Sequence, residues 1–248
     1  MPVTFDAAGP SSAGASSTSS RTLAWTHPTG AAGRVILAGI SCDAPSDAGW
    51  TVACTAAGTA MTALGGLVHA AGATTGLLAV FGILSVASGT IAMSCTVSGG
   101  SIPGDMEGGS LSFTSGGAAA FGTPVTGSGT STTPSVSVAA NTSGNLIGAF
   151  IACGDSVSTA TSPSTSRFII NKMTSGGNGT GNAAGETAPA TGSAVSMAWT
   201  INSAPYAVIA VEVQDTGGAA AGLLPQQLAH RQFASRTGHT RTGGSYAR

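Results

Sequence analysis

Charge is what this chain has least of. Only 7% of its 248 residues are Asp, Glu, Lys or Arg, against about 25% in an ordinary soluble domain. Between Asp47 and Asp155 the charged side chains are Asp105 and Glu107 alone, and Lys172 is the one lysine. Catalytic, metal-binding and nucleic-acid-binding sites are built from clustered ionisable groups, so most of the chain lacks the material for them. Aromatics are scarce at 5%. A core must therefore come from Val, Ile, Leu, Ala and Met around a few anchors such as Trp25, Trp50, Phe81, Phe150 and Trp199. The residues that face solvent on helices are nearly missing, and each of the 38 Gly costs about 1 kcal/mol in a helix interior relative to Ala. The N-terminal MPVTFDAAGP lacks the basic and apolar regions of a secretory signal.

What is present is small and apolar. Hydrophobic residues make up 42%, enough to fold most of the chain. Short Val/Ile/Thr runs separated by Gly, Ser and Pro predict strands. Residues 21–27 alternate, Val35–Ser41 and Leu146–Cys153 are apolar runs of the kind buried on both faces, and Thr90–Val97 is rich in strand formers. Gly76–Met93 is apolar enough to raise a membrane span, but its Gly and Ser residues fit two strands joined by a Ser-Gly turn. Residues 99–109, 126–134 and 174–192 read as loops or linkers. About ten to twelve strands without intervening helices predict an all-β, two-sheet antiparallel sandwich with jelly-roll-like topology.

The expected organisation is an extended lead-in over 1–20, a sandwich domain over 21–216 and a basic docking arm over 217–248. RTLAWTH followed by RVILAGISC echoes SVSVAA followed by NLIGAFIAC, and GTIAMSCTV echoes SAVSMAWTI, as two similar halves of one sandwich would. The arm holds Arg231, Arg236, Arg241 and Arg248 and no acid, whereas residues 1–216 hold four basic and nine acidic side chains. Pro225–Arg236 is predicted as a short helix, started by Pro225 and capped at Gly238. Such a helix is marginal alone, so Leu224, Leu228, Arg231, Phe233, Arg236 and Arg241 are the candidate partner-binding residues.

Other candidate sites each have a plainer reading. Asp105 and Glu107 in GDMEGG, and Asp43 with Asp47, are candidate oxygen ligands for calcium; turn-forming acids explain them as well. His27 and His69 could serve a Ser-His-acid site, but no GxSxG elbow occurs. GGNGTGNAAG at 176–185 lacks the GK[ST] ending of a phosphate loop. Cys42, Cys54, Cys95 and Cys153 have no metal or redox spacing and read as buried thiols, with a disulfide left open. No cofactor, catalytic residue or membrane is expected. The four arginines of the arm form too thin a patch for nucleic acid.

The pattern VTFDAAGPSSAGASSTSSRTLAWTHPTGAAGRVILAGIS resembles a β-sandwich module of virion proteins from tailed bacteriophages of actinobacterial hosts. AAGTAMTAL and YAVIAVEV are similar to a further strand and the closing strand of that module. The resemblance spans roughly residues 3–215 and implies a structural virion component of minor-tail type, assembled in the host cytoplasm. Other virion proteins and further copies of the chain are the expected partners, the loops 99–109 and 174–192 are the expected contacts to a host surface glycan, and the resemblance carries over no catalytic residue. A head decoration protein and a carbohydrate-binding adhesin module, with Trp25, Trp50 or Trp199 as stacking residues, are the alternative expectations.

Overall fold

The computed structural model describes residues 2–11, 14–18, 20–30, 32–43, 50–68, 76–100, 102–160, 163–172 and 182–217. Among these there is no helix, and all strand pairing is antiparallel. The N-terminal half contributes β1 (Thr4–Gly9), β2 (Ala15–Thr18), β3 (Thr22–Thr29), β4 (Arg34–Cys42), β5 (Thr51–Ala56), β6 (Thr59–Ala60), β7 (Thr62–Val68), β8 (Leu77–Val86), β9 (Gly89–Ser98) and β10 (Asp105–Thr114). The C-terminal half contributes β11 (Ala119–Phe121), β12 (Val125–Ser131), β13 (Ser135–Val138), β14 (Leu146–Cys153), β15 (Val157–Ala160), β16 (Thr165–Asn171), β17 (Asn182–Pro189), β18 (Val195–Ile201) and β19 (Ala204–Asp215).

These strands form four sheets, not two. A six-stranded sheet runs β1-β10-β4-β8-β7 with β2 also on β10, and a second runs β11-β19-β14-β17-β16 with β12 also on β19. The two smaller sheets are β3-β9-β5-β6 and β13-β18-β15. The pairings of the first half recur one for one in the second, with only β6 lacking a counterpart. The echo in the sequence therefore marks two complete strand sets, each with its own pair of sheets.

Burial explains why four layers are needed. Ile36, Ala38 and Ile40 of β4 pack with Leu23, Trp25, Met93 and Val97 in a core between the first large sheet and its small one. Ile147, Ala149 and Ile151 of β14 do the same with Val136, Met197 and Trp199. The other faces of both large sheets, including Val35, Leu37, Phe113, Phe150, Ile209 and Val211, pack on each other in a third core. The apolar runs at β4 and β14 are thus buried on both faces, which a two-layer sandwich cannot provide. Each fully buried Leu, Ile or Phe contributes about 1.5–3 kcal/mol relative to exposure.

The register equates positions in the two halves. Cys42 faces Leu77 and Met106, and Cys153 faces Asn182 and Tyr206, so Cys42 and Cys153 are counterparts. Counting back along β4 and β14, Gly39 then matches Phe150, and Leu37 matches Gly148. A Cβ on Gly39 would overlap the Phe150 ring, and one on Gly148 would lie 2.7 Å from Leu37 Cδ1. Each hole in one half is filled by its own counterpart from the other. That is the pattern of an isologous contact, here within one chain.

Several segments expected to be loops are strands. The lead-in over 1–20 supplies β1 and β2, which together cover one edge of β10. The expected linker over 126–134 is largely β12, and the expected loop over 99–109 ends in β10. Within 174–192, β17 is a central strand of its sheet, buried along nearly its whole length. Its Gly185 makes room for Phe168, which covers it. The strand β3 also passes through Pro28, which an edge strand tolerates. Gly76–Met93 forms β8 and the start of β9, turning at Gly89 with φ 103°. The arm over 218–248, with its expected helix and Leu224, Leu228, Arg231, Phe233, Arg236 and Arg241, lies outside the described residues.

Gly39→Ala should lower stability by about 1–3 kcal/mol through overpacking. In a Phe150→Ala background the same change should be nearly neutral, so a double-mutant cycle by denaturant unfolding should show strong coupling.

Candidate functional site

Most polar side chains of the core are engaged in local networks. The nearest approach to a Ser-His arrangement is His27 Nδ1, 2.7 Å from Ser110 Oγ. Ser110 Oγ also accepts the Trp25 indole N–H at 2.9 Å. His27 and Ser110 are both fully buried, leaving no room for a substrate. Desolvation lowers the His27 pKa to about 4, against the pull of Asp6. The counterparts of Trp25, His27 and Ser110 in the second half are Val136, Val138 and Ala210. The same fold is thus built there with apolar groups, as expected when both partners of a hydrogen bond are replaced together. His69 lies outside the described residues.

The acidic pair expected in a loop is instead on β10. Glu107 is fully buried and its carboxyl oxygens make no hydrogen bond. Burial first, then the fields of Asp105 and Asp43, push its pKa up to about 9, with Lys172 opposing. Among the described residues no group of three His, Cys, Asp or Glu could hold a metal ion, so the calcium reading of Asp105 and Glu107 gains no ligand set; Asp47 lies outside the described residues. Glu186 on β17 stands where the first half has Phe81. Burial raises its pKa to about 8, and its nearest donors, Ser164 and the Ala198 amide, temper the rise without satisfying the carboxyl.

Glu212 on β19 is different and was not singled out from the sequence. It is 3% exposed but well provided with donors. Oε1 accepts the Thr142 N–H at 2.7 Å and Asn145 Nδ2 at 2.8 Å, and Oε2 accepts Gln214 Nε2 at 2.8 Å. These bonds hold the turn that enters β14. The signal was available: an acid between Val211 and Val213 in an apolar strand.

Cys54 and Cys95 face each other on β5 and β9 and are joined as a disulfide, whereas Cys42 and Cys153 are buried free thiols with pKa values raised to about 12 by burial. In the second half Ala160 and Trp199 occupy the disulfide positions, and Val136 occupies that of Trp25. Each small-sheet core thus has one buried tryptophan, at a different place, with the half-buried Trp50 packed against the first. Trp25 is 7% and Trp199 1% exposed, so neither offers a stacking face. Trp50 is half-buried and lines a groove of about 450 Å³ with Val52, Leu64, Gly65, Leu77 and Phe81.

No family model matches the chain, and neither a curated protein nor a solved structure matches it.

Two buried carboxyls with raised pKa values set a pH dependence. Glu107 and Glu186 are protonated in the folded chain and ionised in the unfolded chain above the ordinary carboxyl range. Stability should therefore fall as pH rises from about 4.5 through 8 and 9, then level off. His27 acts the other way, its contribution being lost as pH falls from 6.5 to 4. Glu107→Gln should reduce the alkaline loss by up to about 1.4 kcal/mol per pH unit, measured from denaturation midpoints between pH 5 and about 9.

Proposed function

We propose that the chain is a non-enzymatic structural protein of a virion, of the minor-tail or tail-tip type, built as two jelly rolls set back to back. The strand order within each half, β1-β10-β4-β8 against β3-β9-β5-β6 and its repeat, supports the jelly-roll reading. The observation that carries the functional reading is the outer surface. The strands of the two small sheets contain no Asp, Glu, Lys or Arg. Their exposed positions include Thr22, Ala24, Thr26, Thr90, Ala92, Thr96, Ser135, Ser137, Ser196 and Thr200. A freely diffusing protein keeps charge on such faces, and a neutral hydroxyl face suits contact with neighbouring subunits. The resemblance of the N-terminal pattern to tailed-phage virion modules supports the same reading.

The arm over 217–248 is the anchor in this proposal, with the arginines Arg231, Arg236 and Arg241 flanking Leu228 and Phe233 in sequence. A chain ending at residue 217 should stay β-rich by circular dichroism yet fail to join particles. Incorporation of the full chain should weaken with salt. Normal incorporation of the truncated chain removes the anchoring role. Imaging of purified particles separates a tail location from head decoration.

A second reading, a glycan-binding module, is favoured by the Trp50 groove alone. Trp50→Ala should leave the fold unchanged. Loss of glycan-array binding in that variant would favour the adhesin reading, and a wild-type chain that binds no glycan removes it.

A further inference from the structure

The two halves solve one electrostatic problem differently. In the first half Asp6 lies on β1, accepts Ser112 Oγ–H at 2.9 Å, and pairs with Arg34 Nε at 3.2 Å. The register places these residues against the second half. Ser112 faces Ile36 and Glu212 faces Ile147, so Ser112 matches Glu212. Phe5 faces Phe113 and Ala7 faces Ser112, so Asp6 is the extra residue of a β-bulge; Phe121 faces Val213 and Gly122 bonds to the Glu212 carbonyl, so Gly122 matches Ala7 and the second half has no residue in the place of Asp6. Arg34 lies eight residues before Cys42, as Asn145 does before Cys153. The second half has therefore moved its acid from the β1 position to the β19 position. It has dropped the bulge that carries Asp6, with Gly122 at the neighbouring position, and has put a neutral amide where the guanidinium was.

Among the described residues, no cation pairs with the buried Glu212 carboxyl group. Its three hydrogen-bond donors are all neutral. The four basic side chains of the described body are engaged elsewhere. Arg21 is bonded to the Gly99 and Gly100 carbonyls, Arg34 to Asp6, and Arg167 to Phe5 and Thr187, while Lys172 lies in the field of Glu107. Glu212 instead lines a cavity of about 440 Å³ with Gly122, Thr123, Val125, Ser137 and Gln214. Gly122 keeps that space open. A Cβ there would lie 3.4 Å from Glu212 Oε2 and 3.2 Å from Gln214 Nε2. Its backbone is not in the left-handed region, so conformation does not demand glycine.

We propose that the cavity over Glu212 receives the guanidinium of an arginine presented by a neighbouring subunit, replacing in trans the cation that Arg34 supplies within the first half. Oε2 carries one hydrogen bond and has an acceptor position left, and the Gln214 side-chain carbonyl lies on the same strand as a second acceptor. Two adjacent acceptors suit a planar fork of N–H donors better than a hydrated ammonium. The inference rests on the assembly reading only for the source of the arginine. The preference for a guanidinium is a property of the isolated chain.

The test is an NMR titration of the full chain with N-acetylarginine amide and with its neutral isostere, N-acetylcitrulline amide. The arginine probe should shift the Gly122 and Gln214 backbone amides with a Kd of about millimolar order, and citrulline should bind about tenfold or more weaker. Glu212→Gln should abolish the difference between the probes. Because that change could loosen the 142–145 turn, Gly122→Ala provides a second variant that narrows the cavity and leaves the turn's bonds in place; it too should lose the arginine response. Equal binding of both probes, an unchanged response in both variants, or no shift at these amides up to about 50 mM probe would overturn the proposal. A chain that joins particles normally yet ignores the arginine probe sinks this inference and leaves the structural role standing. Glu212-dependent self-association of the full chain would support it and identify the donor as a second copy; a probe response in a chain that stays monomeric would support it with another protein as the donor.

Discussion

The contact between the two large sheets is the constraint from which the rest follows. Once β4 and β14 are apolar on both faces, each large sheet must be covered on both sides. The small sheets cover one side, and only the other large sheet is available for the second. Close packing of two broad sheets then restricts their residues. Gly39 and Gly148 sit where the opposing Phe150 and Leu37 enter, and Gly185 sits beneath Phe168. The glycine and alanine content that makes helix unfavourable is thus matched to close approach in the interior. Part of the shortage of charge has the same origin, because so much of the strand surface is internal; the uncharged exposed faces of the small sheets supply the rest.

This also explains which parts were legible in the sequence. The runs at β4, β8 and β14 were visible because a strand buried on both faces needs large apolar residues on both. The alternating β3, β9 and β18 were visible because one face is buried and the other wet. What escaped were strands whose burial is supplied by neighbours. NAAGETAP reads as a loop because its residues are mostly small or polar, with Gly185 making room for Phe168. VTGSGTS reads as a linker because β12 is half-exposed along its length. Asp105 and Glu107 were recognised as unusual, but their sequence gave no sign that Glu107 would be buried without a partner. Glu212 was passed over although its setting in β19 carries the clearer signal, a carboxylate in the middle of an apolar strand.

Comparison of the halves separates what the fold requires from what one half has added. Tryptophan occupies the β3 position in the first half and the β18 position in the second, so each small core keeps a large anchor while its neighbour shrinks, as volume-conserving repacking allows. The His27–Ser110–Trp25 network has an apolar replacement, so it is a local solution and not a requirement. The Cys54–Cys95 bridge likewise has Ala160 and Trp199 as its counterpart. Phe81 and Glu186 share a position, which puts a neutral carboxyl where a phenyl ring would serve.

Relocation of the acid is the change that packing does not account for. Volume could be conserved by any small polar residue at 212, and the turn before β14 could be held by a neutral acceptor at lower desolvation cost. Instead, the second half retains a charge-bearing group, withdraws the internal cation, and leaves Gly122 as an opening beside it. A buried carboxylate gains most from a charge-assisted partner when water is excluded around it. A neighbouring chain that brings a guanidinium would therefore find a stronger contact here than on the hydroxyl faces of the outer sheets. Those neutral faces can supply area and shape, but they hold no charge to fix the register of one subunit on another. The cavity at Glu212 would set that register.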